Sequence, residues 1–226
     1  LYVLGVLFWL YHQVVRRIQL DQRTFKVVEN RVENNNVRSL HLKPLQGKIF
    51  DYKPGQYTFI SVQNGRISKD PRPYTIASSP SNPDEIEFVI KNSDEYANQL
   101  QYVMKGDEVY VNKPFGIFSY LNHPEEKELV LIAGGIGITP FLSMLRWIKD
   151  NEPQKKVTLL WGCRTTSDFI KQDEFALFEQ NMPNFKWTRV VSDDPNFDGE
   201  TGFFDTEKLN RLSVSKVDVQ TTGFYI

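Results

Sequence analysis

Residues 129–141 read LVLIAGGIGITPF, and this stretch decides the fold. Its uninterrupted apolar start is typical of a strand buried on both faces of a parallel sheet. The glycines at 134, 135 and 137 let the backbone turn sharply and come close to a ligand, and Pro140 suits the first turn of a helix. Free N–H groups at a helix start attract phosphate. The stretch therefore predicts strand, glycine turn and helix, either as a pyrophosphate-binding turn or as an ordinary tight connection.

The composition limits the classes of function. A chain of 226 residues is long enough for two domains or one large domain. The net charge of −1 gives no reason to propose nucleic-acid binding. A single cysteine, Cys163, excludes an internal disulfide and a cysteine-ligated iron–sulfur cluster within these residues. The scattered His12, His41 and His123 offer no zinc spacing, so we predict no metal site.

The first 15 residues carry no charge and are followed by Arg16 and Arg17. This run is shorter than the ~20 residues that cross a bilayer, but its aromatic residues before a basic pair resemble a membrane interface with a positive cytoplasmic flank. We interpret residues 1–20 as the cytoplasmic end of a transmembrane helix from a longer chain. The predicted localisation is the membrane, with the remainder on the cytoplasmic side. The alternative is a core or amphipathic helix of a soluble protein.

Residues 21–124 have the pattern of a small antiparallel β-barrel. Residues 26–32 and 37–42 alternate apolar and polar side chains around an Asn-rich turn, which predicts a hairpin. Short strands follow at residues 57–62, 74–77 and 86–90, and helical spacing covers residues 94–104.

Residues 125–226 change to alternating strands and helices, which predicts a parallel α/β sheet. After the opening stretch we expect strands at 157–161 and 185–191 and helices at 173–181 and 206–212. A further strand begins at residue 224, and we interpret this domain as incomplete at its C-terminal end.

A second informative cluster is Arg72-Pro-Tyr-Thr75. Arg offers fixed donors for phosphate, Tyr an aromatic face and a hydroxyl, and Thr a short hydroxyl. Pro73 argues against a central position in a sheet. The residues alone equally allow a surface arginine beside a core tyrosine.

The order of these motifs resembles the ferredoxin–NADP reductase family of flavoproteins over about residues 25–226. The motifs are Arg-x-Tyr-Thr, Val-Ile-Lys, Pro-Phe-Gly and Gly-Gly-x-Gly-x-x-Pro. Together with the N-terminal segment, they resemble the dehydrogenase half of NADPH oxidases and ferric reductases, most closely of a bacterial type. The resemblance implies hydride transfer from NADPH or NADH to FAD, then single electrons to haem in an absent transmembrane domain of the same chain and on to O2, giving superoxide.

The resemblance also implies residue roles. Tyr74 would stack on the flavin, Thr75 would bond near its N5 as the second catalytic residue, and Arg72 would hold the FAD pyrophosphate. The remaining FAD residues implied are Pro73, Val89, Ile90, Lys91, Asn98, Phe115 and Gly116. Those implied for NAD(P)H are Gly134, Gly135, Gly137, Ile138, Thr139, Pro140, Gly162, Cys163 and Arg164.

Two features leave alternatives open. Arg164 could pair with the 2′-phosphate of NADPH, although Asp168 lies close, and Cys163 is either a reactive thiol or a small buried residue. The family's Cys-Gly-Pro motif and final aromatic residue would come after Ile226. Alternative functions are a ferric or flavin reductase of the same family and a non-catalytic nucleotide-binding domain.

Overall fold

The computed structural model describes residues 4–6, 8–9 and 22–226. The predicted transmembrane segment, residues 1–20, lies mostly outside the described residues. Within the part that is described, no helix is long and apolar enough to cross a membrane, whereas a span needs about 20 predominantly apolar residues.

The first half of the chain forms one six-stranded antiparallel sheet, with the strand order β4-β3-β6-β1-β2-β5. The predicted hairpin is present, and Asn34 Oδ1 accepts a hydrogen bond from the Asn36 N–H at 2.9 Å, which stabilises its turn. The apolar faces of these strands bury a core that includes Phe25, Ile60 and Phe88. The strands are β1 (Arg23–Asn34), β2 (Val37–Pro44), β3 (Tyr57–Val62), β4 (Arg72–Thr75), β5 (Ile86–Lys91) and β6 (Glu108–Val111).

Strands β4 and β5 lie at the two edges of this sheet and do not pair as neighbours. Pro73 is at such an edge, where its missing N–H is tolerated. Beyond β4 the two edges meet at Glu87, whose carbonyl accepts a hydrogen bond from the Ala77 N–H at 2.8 Å and whose N–H donates to Ser78 Oγ at 3.0 Å. The sheet is thus a barrel with a seam, and the backbone groups along the seam are available to a ligand.

The second half forms a five-stranded sheet in the order β10-β9-β8-β7-β11, and all its pairs are parallel. The expected strand at residue 224 begins two residues earlier. The strands are β7 (Glu128–Gly134), β8 (Lys156–Cys163), β9 (Phe185–Val191), β10 (Glu200–Thr201) and β11 (Thr222–Tyr225). The α-helices from residue 22 onward are α1 (Glu95–Gln99), α2 (Thr139–Asn151), α3 (Gln172–Asn181) and α4 (Thr206–Leu212). The predicted fold class, an antiparallel sheet followed by a parallel α/β sheet, is confirmed.

A buried ionic network joins the two sheets. Arg146 of α2 donates to Glu87 of β5 at 2.5 Å and forms two bonds with Glu174 of α3, at 2.6 and 2.8 Å. Lys171 Nζ lies 2.8 Å from Glu87 Oε1 and 2.9 Å from Glu33 Oε1. Burial alone would raise the pKa of Glu87, but the charges of Arg146 and Lys171 outweigh it and lower that pKa to about 2.

Candidate functional site

A cleft of about 580 Å³ opens between the barrel seam and the carboxyl end of the parallel sheet. Ligands of open α/β sheets bind at the carboxyl ends of the strands. The cleft brings together two sets of predicted residues that lie far apart in sequence. From the barrel come Pro73, Tyr74, Thr75, Val89, Ile90 and Lys91, and from the glycine turn come Gly134, Gly137, Thr139 and Pro140.

The barrel side of the cleft consists of the seam strands. Tyr74 and Thr75 are half-buried at the end of β4, opposite Thr58 and Tyr57 of β3. Burial of its ring raises the pKa of Tyr74, so its hydroxyl stays protonated and can donate a hydrogen bond. A flat ring system in this cleft would therefore meet an aromatic face and a neighbouring hydroxyl, together with the seam backbone of β5.

The glycine turn forms the opposite side. Gly135 has a φ of 49°, in the left-handed region, and its carbonyl accepts a bond from the buried Trp161 indole at 2.9 Å. A Cβ added at Gly134, Gly135 or Gly137 would meet no atom within 4 Å. The space above these glycines is thus open to a ligand, and side chains there would fill it.

Helix α2 begins directly after this turn with Thr139 and Pro140. No side chain in the described structure caps its first turn, and that turn holds no acidic residue. The Thr139 N–H donates to the Ile136 carbonyl of the preceding 3-10 turn, Gly135–Ile138, and Pro140 has no N–H. What this end of α2 offers a phosphate is therefore the positive end of the helix dipole.

Several predicted residues lie outside the cleft lining. The Arg72 guanidinium lies 5.4 Å from the centre of the Tyr96 ring. Asn98 is exposed on α1. Phe115 packs against Phe59 at 5.6 Å between ring centres, and Gly116 lies beside Tyr57.

Two predicted nucleotide residues are also covered. Ile138 is fully buried in the core. A Cβ at Gly162 would meet the Phe204 ring at 2.8 Å, so Phe204 covers this glycine. At the carboxyl edge the open approach is therefore above β7, whereas the end of β8 is covered at Gly162 by Phe204.

Cys163 is the last residue of the neighbouring strand β8, and Arg164 follows it. Burial raises the pKa of the Cys163 thiol to about 12, which favours the interpretation as a buried structural residue over a reactive thiol. Arg164 is exposed, and its Nε donates to Asp193 Oδ2 at 3.0 Å. A smaller pocket of about 60 Å³ is lined by both residues and shares Lys91 and Ile136 with the large cleft.

Some residues that line the cleft were not predicted from the sequence. Ser93 stands two residues after Lys91, directly before Asp94, whose side chain caps α1; this Ser-Asp pair was a usable signal for the helix start. The apolar remainder carried no signal that distinguished it from core residues. It consists of Phe118, Ile132, Ala133, Ile136, Phe141 and Ile226.

Two protein families match the chain. Residues 22–142 match the family described as "FAD-binding domain", and residues 131–226 match the family described as "Oxidoreductase NAD-binding domain". The first match covers more than half of the 226 residues.

Similar proteins include reductase components of oxygenase systems. The propane 2-monooxygenase reductase component of Mycolicibacterium smegmatis is 30% identical over 74% of this chain and 47% of that protein. The glycine betaine monooxygenase reductase subunit of Chromohalobacter salexigens is 31% identical over 73% of this chain and 44% of that protein. The chain thus spans about half the length of these relatives. The predicted membrane localisation is contradicted by these relatives, whose names describe reductase components of oxygenase systems.

The fold is found in a solved structure as well. The FAD/NAD-binding domain of the nitric oxide dioxygenase from Vibrio cholerae superposes with a TM-score of 0.75 at 24% identity. The alignment covers 89% of this chain and 97% of that one. At this identity the likeness establishes the arrangement of the two sheets.

Proposed function

The chain belongs to the ferredoxin–NADP reductase-like family of FAD- and NAD-binding oxidoreductases, and from this membership we propose that it takes electrons from NAD(P)H and passes them through FAD to a separate redox protein. In this proposal, residues 21–124 form the FAD-binding domain and residues 125–226 the NAD(P)H-binding domain. One observation carries it: a single cleft is lined by Tyr74 and Thr75 from the first and by Gly134 and Gly137 from the second.

The residues present fit an FAD on the barrel side. The seam offers backbone groups of two edge strands, an aromatic face and hydroxyls, which suit the polar edge and flat faces of an isoalloxazine ring. We propose that Tyr74 stacks on the ring, that Thr75 donates its hydroxyl to it, and that Lys91 and Ser93 lie along its polar edge. Bound FAD accepts a hydride and releases electrons one at a time.

The residues of the glycine turn fit the dinucleotide. The open space above Gly134 and Gly137 admits a pyrophosphate, and the positive dipole end of α2 would attract it. A dinucleotide held there would direct its nicotinamide into the cleft toward Thr75, since both groups line the same cavity. The protein contributes alignment, because holding two reactants in van der Waals contact removes much of the entropic barrier to hydride transfer.

We propose that the electron acceptor is a protein, because relatives of this chain are named as reductase components of oxygenases. The finer prediction from the sequence, a superoxide-producing NADPH oxidase with a haem domain, gains no support from these relatives. The oxidase interpretation differs from the proposed function in its electron acceptor, which would be O2. The two interpretations can therefore be distinguished by experiment.

The test starts from purified protein supplied with FAD. We expect a yellow protein whose flavin absorbance bleaches when NADH or NADPH is added without oxygen. With oxygen present, cytochrome c serves as a protein acceptor, and its reduction is expected to be unaffected by superoxide dismutase.

Two other results would contradict the proposal in different ways. Colourless protein that takes up no FAD would favour the non-catalytic nucleotide-binding domain. Cytochrome c reduction that superoxide dismutase suppresses would identify O2 as the acceptor and restore the oxidase interpretation.

A further inference from the structure

We propose that Trp161 is a positioning residue for the dinucleotide, because its indole N–H fixes the backbone of the glycine turn. This inference rests on the proposed function and extends it at the pyrophosphate. Its basis is one hydrogen bond between neighbouring strand ends, in which Trp161 Nε1 of β8 donates to the Gly135 carbonyl at 2.9 Å. Because the indole is fully buried, leaving its N–H without an acceptor would be costly.

The glycine turn needs such a bond to keep one shape. Gly135 has a φ of 49°, and glycine adopts negative φ values about as readily as positive ones. A Cβ added at Gly134, Gly135 or Gly137 would meet no atom within 4 Å, so packing at these positions does not hold the turn. The bond from Trp161 supplies the missing constraint.

The indole is itself held by the sheet and by aromatic rings. Trp161 is in register with Ala133 of β7, and its ring reaches past the end of that strand to the turn two residues later. The rings of Phe169 and Phe175 pack against it, with centres 4.9 and 5.1 Å away. The donor of the bond is therefore fixed before any nucleotide binds.

The bond also sets the direction of the next N–H. The described peptide bonds are trans, and in a planar trans peptide the C=O and N–H groups point in opposite directions. Since the Gly135 carbonyl is directed at the buried indole, the Ile136 N–H on the same peptide points away from it. The first N–H of α2, that of Thr139, is already bonded and Pro140 has none, so the turn itself supplies the backbone donor for a pyrophosphate.

The experiment replaces Trp161 by phenylalanine, which keeps an aromatic ring and removes the N–H. Calorimetry on the FAD-loaded protein measures the Kd of ADP-ribose and of 2′-phospho-ADP-ribose, which share the pyrophosphate. Both ligands are expected to bind Trp161→Phe about 10-fold more weakly, which corresponds to the loss of one hydrogen bond. The limiting rate of flavin reduction at saturating NADH or NADPH, measured by anaerobic stopped-flow, is expected to stay within about 2-fold, because only binding is weakened.

Trp187→Phe is the matched control. Trp187 belongs to the same aromatic cluster, with its ring stacked on Phe175 at 4.9 Å and its centre 6.3 Å from that of Trp161. Both variants shrink a ring of this cluster and are expected to lower the Tm by a few degrees. Only Trp161→Phe removes the bond to the turn, so only this variant is expected to change the two Kd values.

The wild type alone gives a second measurement, by NMR of the indole N–H groups. A phosphate bound to the Ile136 N–H would polarise that peptide and strengthen its carbonyl as an acceptor. The indole proton resonance of Trp161 is therefore expected to shift when either ligand saturates the protein, and that of Trp187 is expected to stay in place.

The outcomes separate this inference from the function beneath it. Unchanged Kd values in Trp161→Phe, an equal loss in Trp187→Phe, or an unmoved Trp161 resonance overturns the inference while flavin reduction still supports the reductase. A flavin that neither NADH nor NADPH reduces overturns the proposed function and the inference with it.

Discussion

Replacing Arg146 by alanine tests whether the buried ionic network holds the two sheets together. Arg146 donates to two carboxylates and to the Ala77 carbonyl, and its side chain is only 15% exposed. Removing one partner of a buried pair leaves an uncompensated charge and costs about 3–5 kcal/mol of unfolding free energy. The pKa of Glu87 falls from 4.5 to about 2 on folding, and a shift of this size adds about 3 kcal/mol to the free energy of unfolding at neutral pH. Lys171 still faces Glu87 in the variant, so we expect a loss near the lower value.

The assay is urea unfolding followed by tryptophan fluorescence, which reports on the α/β half through Trp147, Trp161 and Trp187. Arg211→Ala is the control, because Arg211 forms a similar two-bonded pair with Glu200 at 2.7 and 2.8 Å, but at the surface. An exposed pair contributes little, so this variant is expected to unfold almost like the wild type. Equal losses in the two variants would refute the assigned role of the network.

The same network predicts the direction of a pH effect. The pKa of Glu87 is lower in the folded than in the unfolded protein, so its contribution is complete above pH about 4.5 and is lost as the pH falls toward about 2. The stability difference between wild type and Arg146→Ala is therefore expected to narrow over this range. A difference that stays constant down to pH 3 would show that Glu87 does not titrate in this way.

Three further predictions concern the cleft and the smaller pocket beside it. Gly137→Val is expected to slow flavin reduction by roughly 100-fold, because the new side chain would displace the nucleotide. Its thermal stability is expected to be unchanged, because a Cβ at this position meets no atom within 4 Å. Normal reduction rates in this variant would place the dinucleotide elsewhere. Thr75→Ala is expected to slow flavin reduction by roughly 10-fold through loss of one hydrogen bond, whereas Thr75→Ser is expected to retain the rate, and equal rates in the two variants would argue against the hydroxyl. The Cys163 thiol, with its pKa raised to about 12, is expected to react with a thiol reagent at neutral pH only after unfolding, and rapid labelling of the native protein would contradict its burial.

The elements with strong periodicity could be predicted from the sequence. The expected strands at 57–62 and 185–191 and the helix at 206–212 have the same bounds in the structure. The helix expected over 94–104 is shorter, because after Gln99 the chain continues as a 3-10 turn over Leu100–Tyr102. Strand β10 has only two residues, Glu200 and Thr201, and so short a strand leaves no period to detect.

The site was predictable where it depends on backbone chemistry. Glycines and a proline in fixed order identify the turn before α2, since the left-handed backbone of Gly135 favours glycine and proline suits the first turn of a helix. The ionic network was not predicted, because Glu87 and Arg146 are 59 residues apart and nothing local marks them as partners. The Arg164–Asp193 ion pair was not predicted for the same reason.

Helix α2 is the element that connects the two halves of the cleft. Its first residues, Thr139 and Pro140, follow the glycine turn. One turn later, the Ser143 hydroxyl donates to the Ser78 carbonyl at 2.6 Å, and Arg146 donates to the Ala77 carbonyl at 2.8 Å. Both carbonyls belong to the segment that leaves β4 just after Thr75. Because a helix is stiff over two turns, these bonds fix how far the glycine turn lies from the end of β4. If the cleft holds the two cofactors as proposed, the buried network would set the distance between them.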